Sequence, residues 1–153
     1  MWIPIKESSA TAGEKLIKLE ATLYKPEGKG PFPIVIFSHG STGRRGMSEG
    51  IYDEPEYCGP GPAAQGIDNA ITDTDAVVAY VKTLPFVDSS RILLSGISRG
   101  GFLSIIYASK QPKGVFGVVN FVGGWLGDKC PGKFNQQSFE SAGATLRIPA
   151  LWL

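Results

Sequence analysis

One serine in this chain is spaced for nucleophilic chemistry. Ser98 stands between Gly96 and Gly100, in a Gly-Ile-Ser-Arg-Gly pentapeptide that follows the apolar run Ile92–Leu94. A serine acts as a nucleophile where a strand turns sharply into a helix, because the turn exposes its hydroxyl group above the sheet edge. The glycines permit close approach of strand and helix, and the helix N-terminus offers N–H groups to a developing oxyanion. The pattern predicts a nucleophile elbow, with a glycine-rich turn that carries no chemistry as the alternative.

Apolar patterning indicates which elements must position Ser98. Wholly apolar runs favour buried parallel strands, alternation favours a half-buried antiparallel strand, and apolar residues three and four apart favour helices. The pattern predicts strands at Met1–Ser8, Lys15–Tyr24, Ile34–Phe37, Arg91–Ser95, Val115–Phe121 and Ile148–Leu153, and helices at Asp68–Leu84 and Gly100–Lys110.

The order of these elements predicts the fold class. Strand and helix alternate after residue 33, so we expect an α/β fold with a mostly parallel sheet. The N-terminal strands are expected to be antiparallel, and helices are expected on both faces of the sheet. No linker or internal repeat divides the chain, so residues 1–153 are expected to form a single domain.

Composition and charge exclude several classes of function. The 153 residues include 15 Lys and Arg against 14 Asp and Glu, a formal net charge of +1. We therefore expect neither nucleic acid nor an anionic membrane as a partner. No apolar run approaches a membrane span, and the N-terminus lacks a basic region followed by an apolar core. These features predict a soluble protein without a signal peptide, cytoplasmic by default.

The two cysteines leave the compartment open. Cys58 and Cys130 both lie in loop-like sequence rich in glycine and proline. Two unrelated thiols are the first interpretation. A disulfide between the two loops is the alternative, and it would require an oxidising compartment and therefore an exported protein. One histidine and two distant cysteines do not make a four-ligand zinc set, so no metal site is expected.

Several motifs follow one another along the chain in a recognisable order. The two antiparallel strands come first, then Phe37–Ser41 with its His-Gly pair, the Ser98 pentapeptide, Val119–Gly124 and Ile148–Leu153. This order resembles the α/β-hydrolase superfamily, and more narrowly its dienelactone hydrolase-like esterases and their peptidase-like relatives. The resemblance implies a partial α/β-hydrolase fold. It also implies a serine hydrolase that acts on a carboxylic ester or similar acyl bond of a small-molecule substrate, without a cofactor.

The same resemblance assigns roles to individual residues. Ser98 would be the catalytic nucleophile, and the backbone N–H groups of Ser41 and Arg99 would form the oxyanion hole. His39 and Gly40 would support the oxyanion loop. A serine at the elbow separates the chain from dienelactone hydrolases proper, which carry cysteine there.

The chain departs from the family pattern in two places. In the family the catalytic acid follows the strand that Ile148–Leu153 resembles, and the catalytic histidine comes later still. We therefore expect an incomplete domain, without the acid and the base. Between Gly40 and Arg44 only three residues stand where the family has a helix and a strand. A parallel crossover needs about a dozen residues, so the sheet is expected to have one strand fewer than the family's.

Other functions stay open beside the esterase. Without the acid and the base this chain is expected to be inactive, so one alternative is a fragment or pseudoenzyme that binds a ligand or a partner. A serine peptidase of the same fold is another alternative. His39 is the only histidine in the sequence, and a Ser98–His39 dyad is a further alternative.

Two further expectations concern charged and apolar side chains. We expect Arg44, Arg45 and Arg99 to be solvated surface residues, with a site for a substrate carboxylate or phosphate as the alternative. Trp125 stands where a strand end would line a pocket, although packing explains it equally well. The apolar strand that contains Leu151–Leu153 is expected to leave an exposed edge and to promote self-association.

Overall fold

The elements of the chain are close to the pattern that its apolar runs predict. A computed structural model describes residues 1–9, 13–40, 60–125 and 132–153. Its elements are β1 Trp2–Ser9, β2 Gly13–Glu20, β3 Phe32–Ser38, α1 Pro60–Lys82, β4 Val87–Ile97, α2 Arg99–Ser109, β5 Val115–Phe121, α3 Lys133–Thr145 and β6 Ala150–Trp152.

The N-terminal strands pair with each other, as their alternating pattern predicts. β1 and β2 are antiparallel, with Trp2 opposite Glu20 and Ser9 opposite Gly13. They form a two-stranded sheet of their own rather than the first strands of the main sheet. β2 ends at Glu20, four residues before the predicted end at Tyr24.

The main sheet is wholly parallel and has the strand order β3-β4-β5-β6. This confirms the expected α/β fold class. All three described helices lie on one face of this sheet. A buried cluster from that face and those helices includes Ile92, Leu94, Phe102, Ile105 and Val118, and Ile34 and Ile36 of β3 pack against it.

The strand order explains why these helices share a face. Each crossover steps one strand in the same direction, and right-handed crossovers that step the same way put their helices on the same side. We expected helices on both faces of the sheet, but the helices within the described ranges cover only one face. On the opposite face Val35 and Phe37 are each 58% exposed, and Leu151 is 54% exposed.

One helix begins earlier than predicted, and another was not predicted. α1 begins at Pro60, eight residues before the predicted start, because proline needs no hydrogen-bond partner in the first turn of a helix. α3 was not predicted. Its sequence is mostly polar, and Phe134, Phe139 and Ala142 are the apolar side chains that join it to the core. With so few apolar residues, the helical periodicity of this segment is weak, and for that reason the sequence did not predict the helix.

Several expectations fall outside the described residues. Residues 41–59 contain the segment in which we expect the family's strand to be absent. They also contain Ser41, Arg44, Arg45 and Cys58. Cys130 also lies in an undescribed segment. In the described ranges no helix is both long and apolar enough to cross a membrane. Leu151, Trp152 and Leu153 are all more than half exposed, and self-association through β6 stays a prediction.

A hydrogen bond between α1 and α2 gives a test of the packing. The buried Tyr107 hydroxyl donates to Asp75 Oδ1 at 2.6 Å. Burial, and secondarily the bond to Asp75 and its negative charge, raise the pKa of Tyr107 well above its ordinary value. Tyr107→Phe is expected to lower the free energy of unfolding by about 1–2 kcal/mol.

The raised pKa of Tyr107 also predicts how stability changes with pH. The unfolded chain loses the phenolic proton near pH 10, before the folded chain does. The stability from this bond is therefore present below that pH and is lost as the pH rises above it. Thermal melts of the unmodified protein and of Tyr107→Phe should be compared at about pH 8 and about pH 11. The fall in melting temperature between these two pH values should be smaller for Tyr107→Phe than for the unmodified protein. An equal fall in melting temperature for the two proteins would contradict a stabilising role for the Tyr107–Asp75 bond.

Candidate active site

The backbone at Ser98 has the geometry of a strand-to-helix elbow. β4 ends at Ile97, α2 begins at Arg99, and Ser98 between them has φ 53° and ψ −121°. A residue other than glycine in this region is strained by roughly 1–3 kcal/mol. Such strain persists where the surrounding structure holds it, and it is concentrated at functional sites.

Glycines on both sides of Ser98 allow three backbone segments to meet. A Cβ at Gly100 would overlap the carbonyl group of Ser38 and lie 2.6 Å from the carbonyl oxygen of His39. A Cβ at Gly96 would overlap the backbone of Gly100 and lie 2.7 Å from Ser38 O. The ends of β3 and β4 and the first turn of α2 therefore contact one another directly. Only glycine fits at either position without moving the elbow.

Backbone hydrogen bonds tie the elbow to the segment after β5. The Ser98 N–H donates to the carbonyl of Phe121 at 3.0 Å. The Ser98 carbonyl accepts from the N–H groups of Phe102 at 3.0 Å and Gly124 at 3.1 Å. The elbow is thus held from both the helix and the neighbouring strand.

The predicted oxyanion residues are described in part. Arg99 is the first residue of α2, and amides in the first turn of a helix point towards its N-terminal end, where Ser98 lies. Gly40 is buried, and a Cβ there would lie 3.0 Å from Ser98 Cβ. The loop that begins with His39 and Gly40 therefore runs beside the elbow. Ser41, the second predicted donor, lies outside the described residues.

His39 makes a contact within its own loop. Its side chain is exposed, and its Nδ1 lies 2.6 Å from the Gly40 carbonyl oxygen. Because a carbonyl only accepts, this contact requires a proton on Nδ1. The contact joins His39 to the next residue of the loop, and the role of His39 in supporting that loop stays a prediction.

The Arg99 side chain corrects one expectation. It is only 7% exposed, so the interpretation as a solvated surface arginine is wrong. Its Nε donates to the Trp125 carbonyl at 2.9 Å, and the guanidinium carbon lies 6.0 Å from the Trp125 ring centroid. Trp125 is itself buried, with its ring 5.7 Å from that of Phe102. These contacts fix the segment after β5 against the start of α2.

A cavity of about 1150 Å³ adjoins the elbow. Arg99, Gly100, Trp125 and His39 line it at the elbow, and it continues between β3 and the segment 19–24. Seven consecutive residues, 33–39, line the cavity. Because alternate residues of a strand point to opposite faces, a consecutive series means that the edge of β3 borders the cavity.

Two asparagines at the site were missed in the sequence. Asn120 is 1% exposed, and neither its Oδ1 nor its Nδ2 has a hydrogen-bond partner within the described part of the chain. Its Oδ1 lies against Gly101 and Gly123, beneath the elbow. Asn135 of α3 accepts from the Trp125 N–H at 2.9 Å. A polar residue within the apolar run Val118–Phe121 was the available signal for Asn120; the polar sequence of α3 gave none for Asn135.

Comparisons with known proteins agree with this geometry. A family model described as phospholipase/carboxylesterase matches residues 59–149. Among solved structures, the chain is similar to Est1E from Butyrivibrio proteoclasticus, with a TM-score of 0.52 and 16% identity over 82% of this chain and 67% of that one. It is also similar to a protein assigned as a dienelactone hydrolase from Klebsiella pneumoniae, with a TM-score of 0.50 and 16% identity over 99% of this chain and 85% of that one.

The two kinds of match carry different weight. No curated protein matches the chain significantly. At 16% identity the solved structures show only the fold, which is that of the α/β-hydrolases. The family model spans more than half of the 153 residues and includes Ser98. Because this match and the independently compared fold agree, the chain belongs to the phospholipase/carboxylesterase family of α/β-hydrolases.

Proposed function

We propose that this protein is a serine hydrolase of carboxylic esters, with Ser98 as the nucleophile. The observation that carries the proposal is the strained backbone of Ser98, at the junction of β4 and α2 in a member of an esterase family. The backbone N–H groups of Arg99 and Ser41 would stabilise the oxyanion. The substrate would be a small molecule with an acyl group.

The proposed reaction has two steps. Ser98 Oγ attacks the carbonyl carbon of the ester and its proton passes to a base, which returns the proton to the leaving oxygen as the C–O bond breaks and the alcohol departs. Water then hydrolyses the serine ester and regenerates the hydroxyl group. The oxyanion of each tetrahedral intermediate lies at the N-terminus of α2, where helix amides favour negative charge. No described residue is assigned as the base.

A fluorophosphonate probe tests the proposal directly. Ser98 Oγ would bond to phosphorus and fluoride would leave, so the peptide that contains Ser98 would gain the mass of the phosphonyl group. We expect the adduct on the peptide that contains Ser98 and none after heat denaturation. An unlabelled native protein, or an adduct on another serine, would contradict the proposal.

The bond cleaved is a separate question. Rates with a p-nitrophenyl ester and an aminoacyl anilide distinguish an esterase from a peptidase. We expect hydrolysis of the ester only, because the family model describes esterases and phospholipases. Faster hydrolysis of the anilide would favour the peptidase.

One observation favours a second candidate, a non-catalytic ligand- or partner-binding protein. The sequence contains a single histidine, and the structure directs its Nδ1 to the Gly40 carbonyl. A serine hydroxyl without a base is a poor nucleophile. Absence of the fluorophosphonate adduct, together with a raised melting temperature in the presence of a non-hydrolysable ester analogue, would support this candidate.

A further inference from the structure

A second strained residue lies beside the elbow. Val122, the residue directly after β5, has φ 43°. A positive φ is rare for any residue with a Cβ and is a marked outlier for a β-branched one. The next two residues, Gly123 and Gly124, would accept this conformation without steric cost. The chain nevertheless carries valine at the strained position.

Hydrogen bonds on both sides hold Val122 next to the nucleophile. Phe121, which precedes it, accepts from the Ser98 N–H at 3.0 Å, and Gly124 donates to the Ser98 carbonyl at 3.1 Å. The Val122 N–H itself donates to the Leu153 carbonyl at 2.9 Å. The segment 121–124 is therefore fixed to the same residue that would attack the substrate.

Packing against the described residues does not account for a valine at this position. Its side chain is 73% exposed, so burial offsets little of the steric cost. β4 and β5 are neighbouring parallel strands, with Ile97 opposite Phe121, so Ser98 and Val122 leave the sheet at the same edge. Ligands of open α/β sheets bind at the carboxyl ends of the strands, which is this edge.

We infer that Val122 determines substrate specificity by contacting an apolar group of the ester bound at Ser98. This inference rests on the proposed function. The strained backbone would hold the exposed valine side chain at the carboxyl ends of β4 and β5, where it would favour esters with apolar substituents over compact or polar ones. Strain without burial is explained if the side chain is covered only when substrate is present.

Two substitutions separate the side chain from the backbone strain. Val122→Gly removes the methyl groups and relieves the strain, whereas Val122→Thr keeps the shape and the strain but replaces one methyl group with a hydroxyl group. Gln111→Gly is the matched control, because Gln111 is exposed, has φ 54° and follows α2 at the end remote from the elbow.

The readout is the rate of Ser98 labelling by two fluorophosphonates, one with a methyl and one with a butyl group on phosphorus. We expect the butyl-to-methyl rate ratio to fall about tenfold in Val122→Gly, a loss typical of one apolar contact. The melting temperature of Val122→Gly should rise. Val122→Thr should also lower the butyl-to-methyl ratio, and its melting temperature should stay unchanged. Gln111→Gly should have the same ratio as the unmodified protein.

The outcomes distinguish this inference from the proposed function. Ratios within about twofold of the unmodified protein in both Val122 variants would overturn the role of Val122 while Ser98 still reacts. If the unmodified protein reacts with neither probe, the proposed function fails and the specificity role fails with it. If Val122→Gly does not fold, the ratio measured for Val122→Thr decides alone.

Discussion

Replacing Gly100 with alanine is expected to destabilise the protein by about 3 kcal/mol or more, a larger effect than most single substitutions have. The added Cβ would overlap the Ser38 carbonyl group, so the clash is with backbone and no side chain can move to relieve it. β3 and α2 would have to separate at the elbow. Thermal melts should show a fall of roughly 6–12 °C, together with loss of Ser98 labelling.

Gly143→Ala is the matched control for Gly100→Ala. Gly143 lies within α3 and is exposed, and a Cβ there would meet no atom of the described residues within 4 Å. Alanine is the better helix former by about 1 kcal/mol, so this variant should melt at a higher temperature and label normally. A melting temperature for Gly100→Ala equal to that of the unmodified protein would show that β3 and α2 do not meet as described.

Ser98→Ala is expected to abolish fluorophosphonate labelling and to lower the rate of ester hydrolysis at least about 1000-fold. The nucleophilic oxygen is lost, while the amides of α2 and the backbone hydrogen bonds to Phe121 and Gly124 remain. The fold should therefore be unaffected, because alanine adopts the same backbone at a similar cost. Ser98→Gly should lose activity equally but melt at a higher temperature, since glycine relieves the strain at φ 53°.

A second serine of α2 provides the control for this prediction. Ser109 is in the last turn of the helix, and its hydroxyl group bonds to the Ile106 carbonyl. Ser109→Ala should label and hydrolyse at the normal rate. If Ser98→Ala kept the hydrolysis rate, the activity would belong to another group and the proposed function would fall.

Local patterns were sufficient for much of this fold. The alternation in β2, the wholly apolar run of β3 and the Gly-x-Ser-x-Gly turn each predicted an element that the structure contains. Such features depend on residues within about ten positions of one another, where backbone conformation and burial are coupled directly. The polar sequence of α3 shows the limit, because three apolar residues hold that helix and its period is weak.

By itself, then, the sequence determined the six strands and the helices α1 and α2, their order, the antiparallel N-terminal pair and a serine at a strand-to-helix turn. Only the tertiary structure decided that the described helices share one face, that Arg99 is buried against Trp125, and that Val122 is strained beside Ser98. The Arg99–Trp125 bond joins residues 26 positions apart, and the Val122 N–H bonds to the carbonyl of Leu153, 31 positions further along the chain. Contacts of this kind depend on strand order and register, which local propensity does not contain.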